Sequence, residues 1–304
     1  PAGESFAAGT RQVALLRFEP VALVAAGRRA AGIITFADQP LARELADVNA
    51  HSLPAEYSVR TENVTAKLAT IVSAAGFRAS ELASESIATA FGAGLATMTQ
   101  TADSLPLPFD LAGTRVTVTD SEGTERPAPL FFVSPAQINY LIPAGTAEGP
   151  ATVTIFSADG TVSIGAVNIA SLAPSLFSAT ADGQGIASAI LLRQRADGSQ
   201  QFEPVARFDS ASNRIVAAPV NLGAEGEQVF LILFGTGLRH RHTTISASIG
   251  GQPAEVLFAG EAPGYAGLDQ CNLRLPRTLS GRGDVEVSLK LEGKAANAVR
   301  LSVK

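Results

Sequence analysis

One seven-residue cassette occurs twice in this chain, and the repetition restricts the fold more than any other feature. Gln137-Ile138-Asn139-Tyr140-Leu141-Ile142-Pro143 is matched by Gln270-Cys271-Asn272-Leu273-Arg274-Leu275-Pro276. A Phe-Gly-x-Gly-Leu turn precedes each copy, Phe91, Gly92, Ala93, Gly94 and Leu95 in the first and Phe234, Gly235, Thr236, Gly237 and Leu238 in the second. A glycine that opens an alternating strand follows each, Gly149 before Ala151 to Phe156 and Gly283 before Val285 to Leu291. From Phe to Gln the spacing is 46 residues in the first copy and 36 in the second, and the excess is expected between Thr97 and Leu107. Four landmarks in one order imply a duplicated domain, an arrangement suited to assembly more than to catalysis.

A length of 304 residues accommodates two or three domains with separate cores. Hydrophobic residues make up 46% and charged residues 17%, which excludes a disordered chain. Mean hydropathy is +0.21, yet no run reaches the roughly 18 apolar residues of a spanning helix. A net charge of −5 leaves no basic stripe to neutralise phosphates, so nucleic acid is excluded as a partner. One cysteine, Cys271, cannot close an internal disulfide. The chain begins at Pro1 without Met or a signal peptide, and is expected to be a mature, processed or partial product.

Turn residues recur throughout, with 28 Gly and 17 Pro among short β-branched runs. Asp-Gly between alternating segments marks hairpins at Asp159-Gly160 and Asp197-Gly198, and Asp120 to Gly123 marks another. Only Pro40 to Val48 has a spacing that one or two helical turns would explain. The predicted class is all-β, built as tandem sandwiches preceded by a partial β domain. The predicted divisions are residues 1–66, the first repeat over 67–172, and the second repeat over 173–304 with an extra hairpin at 186–208. Residues 1–66 hold too few strand-like segments to close a sandwich, and are read as the C-terminal half of a larger β domain.

At the cassettes the chain resembles a family. Ile87 to Leu95, Leu107 to Thr119, Ala128 to Pro143 and Gly149 to Ile155 are similar to the uncharacterised C-terminal domain of large acidobacterial (Solibacter-type) secreted proteins. So are Pro219 to Gly237 and Gly264 to Lys304, with Gly267-Leu268-Asp269-Gln270-Cys271-Asn272 and Lys294-Ala295-Ala296-Asn297 as the characteristic runs. The resemblance covers residues 68–304 and implies a pair of immunoglobulin-like domains of the IPT/TIG type at the end of an exported protein. It implies no activity. Ala8 to Phe18 and Ile33 to Tyr57 resemble the closing strands of cohesin-like sandwiches.

Within each cassette the period-2 pattern puts Ile138, Tyr140 and Ile142, or Cys271, Leu273 and Leu275, on one face. Gln137 and Asn139, like Gln270 and Asn272, project from the other, either as a polar ligand ladder or to satisfy backbone groups of a neighbouring loop. The structural reading is favoured, and the motif residues are Phe91, Gly92, Gly94, Gln137, Asn139 and Pro143, with Phe234, Gly235, Gly237, Gln270, Asn272 and Pro276. His240 and His242 flank Arg241 without a third ligand, and His51 lies in another domain, so no metal site is expected. Asp159, Asp182 and Asp197 sit in turns without the ligand density of a calcium loop. Cys271 alternates with core positions and is expected to behave as a small buried hydrophobe. Arg282-Gly283-Asp284 is explained by turn geometry, and Asn63-Val64-Thr65 is the single glycosylation sequon.

No catalytic constellation is visible, so the expectation is a non-enzyme without cofactors. The chain reads as an extracellular, cell-surface bacterial structural protein, a stalk or fibre subunit that self-associates head to tail. Residues 1–66 would be completed by strand addition from a neighbouring subunit or by upstream sequence. A carbohydrate-binding or adhesion module engaging surface glycans is the alternative. Aromatics at 6%, no Trp, and Tyr57, Tyr140 and Tyr265 as the only tyrosines weigh against it.

Overall fold

The computed structural model describes residues 45–46, 52–53, 66–78, 81–239 and 245–304. The chain divides into two units, Pro1–Thr65 and Ala66–Lys304. Of the first unit, the strands Leu45–Ala46 and Ser52–Leu53 are described, paired antiparallel. Strand pairing thus holds Leu45 and Ala46, where the local spacing suggested a helical turn. The expected completion of residues 1–66 by strand addition lies outside the described residues.

The second unit is all-β, and its helical content among the described residues is the short 3-10 turn Arg277–Leu279. Its first half is a sandwich of two sheets. One runs in the order Thr70–Ser73, Ile87–Phe91, Gln137–Leu141, Leu130–Val133, Gln100–Thr101. The facing sheet runs Lys67–Leu68, Val162–Ala170, Gly149–Phe156, Arg115–Thr119, Glu125–Pro127, with Leu82–Ala83 also joined to Val162–Ala170. Period-2 alternation turns one row of each sheet inward, so Ala88, Ala90, Ile138 and Tyr140 meet Val116, Val118, Val153 and Ile155 in one buried cluster.

The second half repeats this plan with additions. Its strand order is Gln200–Pro204, Ala189–Gln194, Gln228–Thr236, Asp269–Arg274, Gln252–Glu261, Ile245–Ile249, Gly283–Leu291, Lys294–Ala295. Ser175–Leu176 adds to Gln228–Thr236, and Val299–Val303 adds to Gly283–Leu291. Gln252–Glu261 belongs to both faces: its start pairs with Ile245–Ile249 and its end with Asp269–Arg274, with a bulge between Val256 and Phe258. In the first half the same crossing is made by two separate strands. The return from the Asp120–Gly123 turn stops at Pro127, and the chain changes sheet before Leu130–Val133.

Two clusters of buried apolar side chains result, one drawn from residues 69–169 and one from 172–303. Cys271 is fully buried in the second, in the same cluster as Leu289 and Val299. The excess spacing of the first copy falls between Phe91 and Arg115, a stretch that contains the added edge strand Gln100–Thr101. The extra hairpin of the second copy turns at Asp197-Gly198 as predicted but does not continue to Phe208. Pro204 has no N–H to extend the ladder, Val205 is buried, and a separate ribbon follows, Ala206–Asp209 against Arg214–Ala217.

Among the described residues several buried hydroxyls lack a partner, and the largest of these side chains is Tyr140. Tyr140 is fully buried and its hydroxyl makes no hydrogen bond, whereas the matching position of the second cassette is Leu273. Burial pushes its pKa up. A buried hydroxyl that has lost water and gained nothing is a net cost. Tyr140→Phe should therefore stabilise the protein by about 1 kcal/mol, seen as a higher denaturant midpoint at unchanged slope.

Candidate functional site

The motif residues occupy matching places in the two halves. Gln137 stands opposite Phe91 and Leu141 opposite Ile87, while Gln270 stands opposite Phe234 and Arg274 opposite Phe230. The next hydrogen bond agrees too: Ile142 N–H donates to the Ser86 carbonyl, and Leu275 N–H to that of Val229. Gln137 Nε2 donates to Asn139 Oδ1 at 2.9 Å, and Gln270 Nε2 to Asn272 Oδ1 at 2.8 Å. The paired amides therefore bond to each other along one strand, not to the backbone of a neighbouring loop. Asn139 also accepts from the Thr89 hydroxyl. Pro143 and Pro276 end both cassettes at turns, their carbonyls accepting from Thr146 and Leu279.

The two Phe-Gly-x-Gly-Leu turns differ in what covers them. In the first, Ala93 is exposed and Gly92 and Gly94 are half-buried; in the second, every residue from Gly235 to Leu238 is buried. Gly235 and Gly237 pack against Ser175 and Ala173, and Thr236 is covered by the first sandwich. Thr236, fully buried, accepts from the Ile87 N–H at 2.8 Å and donates to the Gly267 carbonyl at 2.8 Å. Ile87 has this N–H to offer because its own neighbour strand ends at Ser73 and the chain turns away through Ala74. Gly267 lets the backbones close, since a Cβ there would lie 2.5 Å from Leu141 Cδ1 and 2.6 Å from Ile87 Cγ1.

Charge reinforces this joint. Asp269, with a fully buried carboxylate, accepts from Leu238 N–H at 2.7 Å and from Arg239 Nε at 2.8 Å. Arg239 donates as well to the Leu268 carbonyl, and its remaining nitrogen lies 3.6 Å from Glu85 of the first sandwich. On the opposite side Lys294 bonds Glu81 at 2.7 Å and the Leu172 carbonyl at 3.1 Å. Asn297 is buried in the second sandwich: it accepts from Leu176 N–H and the Ser175 hydroxyl and donates to the carbonyls of Leu176 and Gly183. Gly76 approaches so closely that a Cβ there would lie 2.5 Å from Ser175 Oγ.

Thr236, Arg239, Glu85 and Gly76 carried no signal in the sequence, because each makes a contact that crosses to the other sandwich. Asp269 and Asn297 were present inside the characteristic runs, without a role.

Beside the joint lies an open cleft of about 440 Å³ between the 102–107 segment of the first sandwich and the 264–268 loop of the second. Its walls are largely apolar, including Leu105, Leu107, Phe131 and Leu268, with Asp103 and Ser104 at the rim. Tyr265 lines it with 65% of its surface exposed.

The other candidates are placed as follows. Asp159 and Asp197 each accept from the backbone two residues on; the Thr161 N–H holds the Asp159 carboxyl, and the Ser199 hydroxyl with its N–H the Asp197 carboxyl, below the usual pKa. Asp182 is taken up by Ser178, Thr180 and Gln184. Among the described residues no three His, Cys, Asp or Glu groups converge on a metal position. Gly149 and Gly283 both take positive φ at a strand start, as Arg282-Gly283-Asp284 requires for its turn. His51, Asn63, His240 and His242 lie outside the described residues. No described helix is long and apolar enough to cross a membrane.

Two structural carboxylates give the unit a pH dependence. Arg193 bonds both oxygens of Glu203 and holds its carboxyl below the usual range, against the effect of burial. Burial alone would raise Asp120, but the N–H groups of Ala147, Thr124 and Glu122 together with Arg126 bring it below. Both are stronger acids folded than unfolded, so their contribution is complete above the unfolded value of about 4. It is lost as pH falls through the folded values. Stability should therefore drop below about pH 4, and the double variant Asp120→Asn with Glu203→Gln should show a shallower fall in urea midpoints.

Compared with known proteins, the chain matches no protein-family model and no curated protein.

Proposed function

We propose that the chain is an exported structural protein of a bacterial surface, a stalk or fibre subunit whose tandem sandwiches are of the immunoglobulin-like kind. The observation that carries this reading is the joint. Two repeated sandwiches are locked by buried hydrogen bonds and ion pairs through Thr236, Asp269 and Arg239, so that force on one passes to the other without a compliant linker. In each repeated polar pair the Gln donates to its Asn along the strand, which suits scaffolding better than ligand capture. Self-association runs through residues 1–66, completed by a strand from a neighbouring copy. Negative-stain imaging of the full chain over a concentration series tests the reading. Rods that lengthen with concentration support it, and particles that stay single at every concentration end it.

A second reading has one observation in its favour. Tyr265 stands exposed at a cleft rimmed by Asp103 and Ser104, the elements of a small saccharide platform. A glycan array discriminates: specific binding that Tyr265→Ala abolishes promotes a carbohydrate-binding module over a fibre subunit.

A further inference from the structure

The first sandwich receives the second at a pole built from Glu85, Ile87 and Leu141. The register assigns the matching residues of the second sandwich as Gln228, Phe230 and Arg274. All three differ in a way that removes the receiving chemistry. The free N–H of Ile87, which Thr236 takes, has its counterpart on Phe230, and Phe230 is paired with Leu192 of the added hairpin Ala189–Pro204. The apolar seat that Leu141 gives to Gly267 becomes Arg274, which lies over the Phe230 ring at 5.7 Å and bonds Glu255 at 3.2 Å. The carboxylate of Glu85, which faces Arg239, becomes the neutral amide of Gln228.

The hairpin that fills the slot is held firmly. Arg193 is only 7% exposed, bonds both oxygens of Glu203 across the hairpin, and reaches Glu227 at 3.0 Å and the Asn221 carbonyl at 2.6 Å. We propose that the hairpin Ala189–Pro204 is an end-cap. On the second sandwich it occupies the site that, on the first, receives the next sandwich, so the tandem array stops at this copy and cannot be continued through that pole by another sandwich of the same kind. Terminal repeats of stacked arrays carry a modified outer face for the same reason, since an uncovered receiving face would recruit further copies. The inference concerns the pole alone and holds whatever surface the chain serves.

The test extends the full chain. Gly283 pairs with Val303 as Gly149 pairs with Ile169, so a further Ser171–Lys304 appended after Lys304 stands where the second sandwich stands after the first. Spin labels at Asp159→Cys and Glu292→Cys report the first-to-second distance, and labels at the two copies of Glu292→Cys report second-to-third. The expected result is one narrow distance for the first pair and a broad distribution for the second, with the core amides of the appended copy protected from exchange. A second-to-third distance as narrow as the first overturns the cap.

Should the appended copy lack protected amides, the native-length chain decides. Glu85→Gln with Leu141→Arg gives the first pole the chemistry of the second, and exchange at the Ile87 amide should rise roughly tenfold or more as its bond to Thr236 opens. Amides in both cores should be unmoved. An Ile87 amide that stays protected in this variant also overturns the proposal.

Discussion

Asn297→Ala should be the most damaging single truncation in the second sandwich, costing about 4 kcal/mol or more. One buried side chain there makes four hydrogen bonds, accepting from Leu176 N–H and Ser175 Oγ and donating to the carbonyls of Leu176 and Gly183. Truncation orphans all four groups at once, and each buried orphan costs about 1–3 kcal/mol unless water enters. Asn297→Asp separates the two halves of the effect, since it keeps the acceptor and loses the donors. It should fall between Ala and the parent in urea unfolding at neutral pH. An Asn297→Ala chain within about 1 kcal/mol of the parent would show that the site hydrates easily.

Asp269→Ala should cost about 3–5 kcal/mol, the usual penalty for stranding one partner of a buried ion pair. Arg239 would keep its charge with only 9% of its side chain exposed, and the Leu238 N–H would lose its acceptor. Unlike the Asn297 change, this one acts on the joint. Loss of the carboxylate frees Arg239 to leave Glu85, so the Ile87 amide should exchange faster than the core amides of either sandwich. Arg239→Met, which removes the stranded charge as well, should recover part of the loss. If Asp269→Ala destabilises without altering exchange at Ile87, the ion pair stabilises its own turn and contributes nothing to docking.

The strands were legible because they obey a local rule. Ile138, Tyr140 and Ile142, and likewise Cys271, Leu273 and Leu275, alternate with polar residues, and period 2 turns them into the two cores. The hairpins at Asp159-Gly160 and Asp197-Gly198 were legible from their turn residues. The joint was not. Nothing near Thr236 in the sequence marks its hydroxyl as the acceptor for an N–H 149 positions earlier, because that bond exists only after both sandwiches have folded. The change of sheet after Pro127 was equally hidden, since the run from Glu125 to Val133 reads as one return strand until Ala128 is seen to be buried at the crossing. The amide pairs were misassigned for a related reason: Gln137 and Asn139 project from the same face, and their bond along the strand is closer than any loop.

The unequal covering of the two Phe-Gly-x-Gly-Leu turns sets their freedom to vary. At position 93 a side chain faces solvent, and most replacements should be silent. At position 236 a hydroxyl must accept from one sandwich and donate within the other, so Ser is the sole conservative exchange and Val, equal in shape, should fail. A saturation library would therefore score one turn as permissive and its twin as strict, although their backbones share one register. Duplication gave the chain two turns of one pattern, and burial of one made them mutationally unlike.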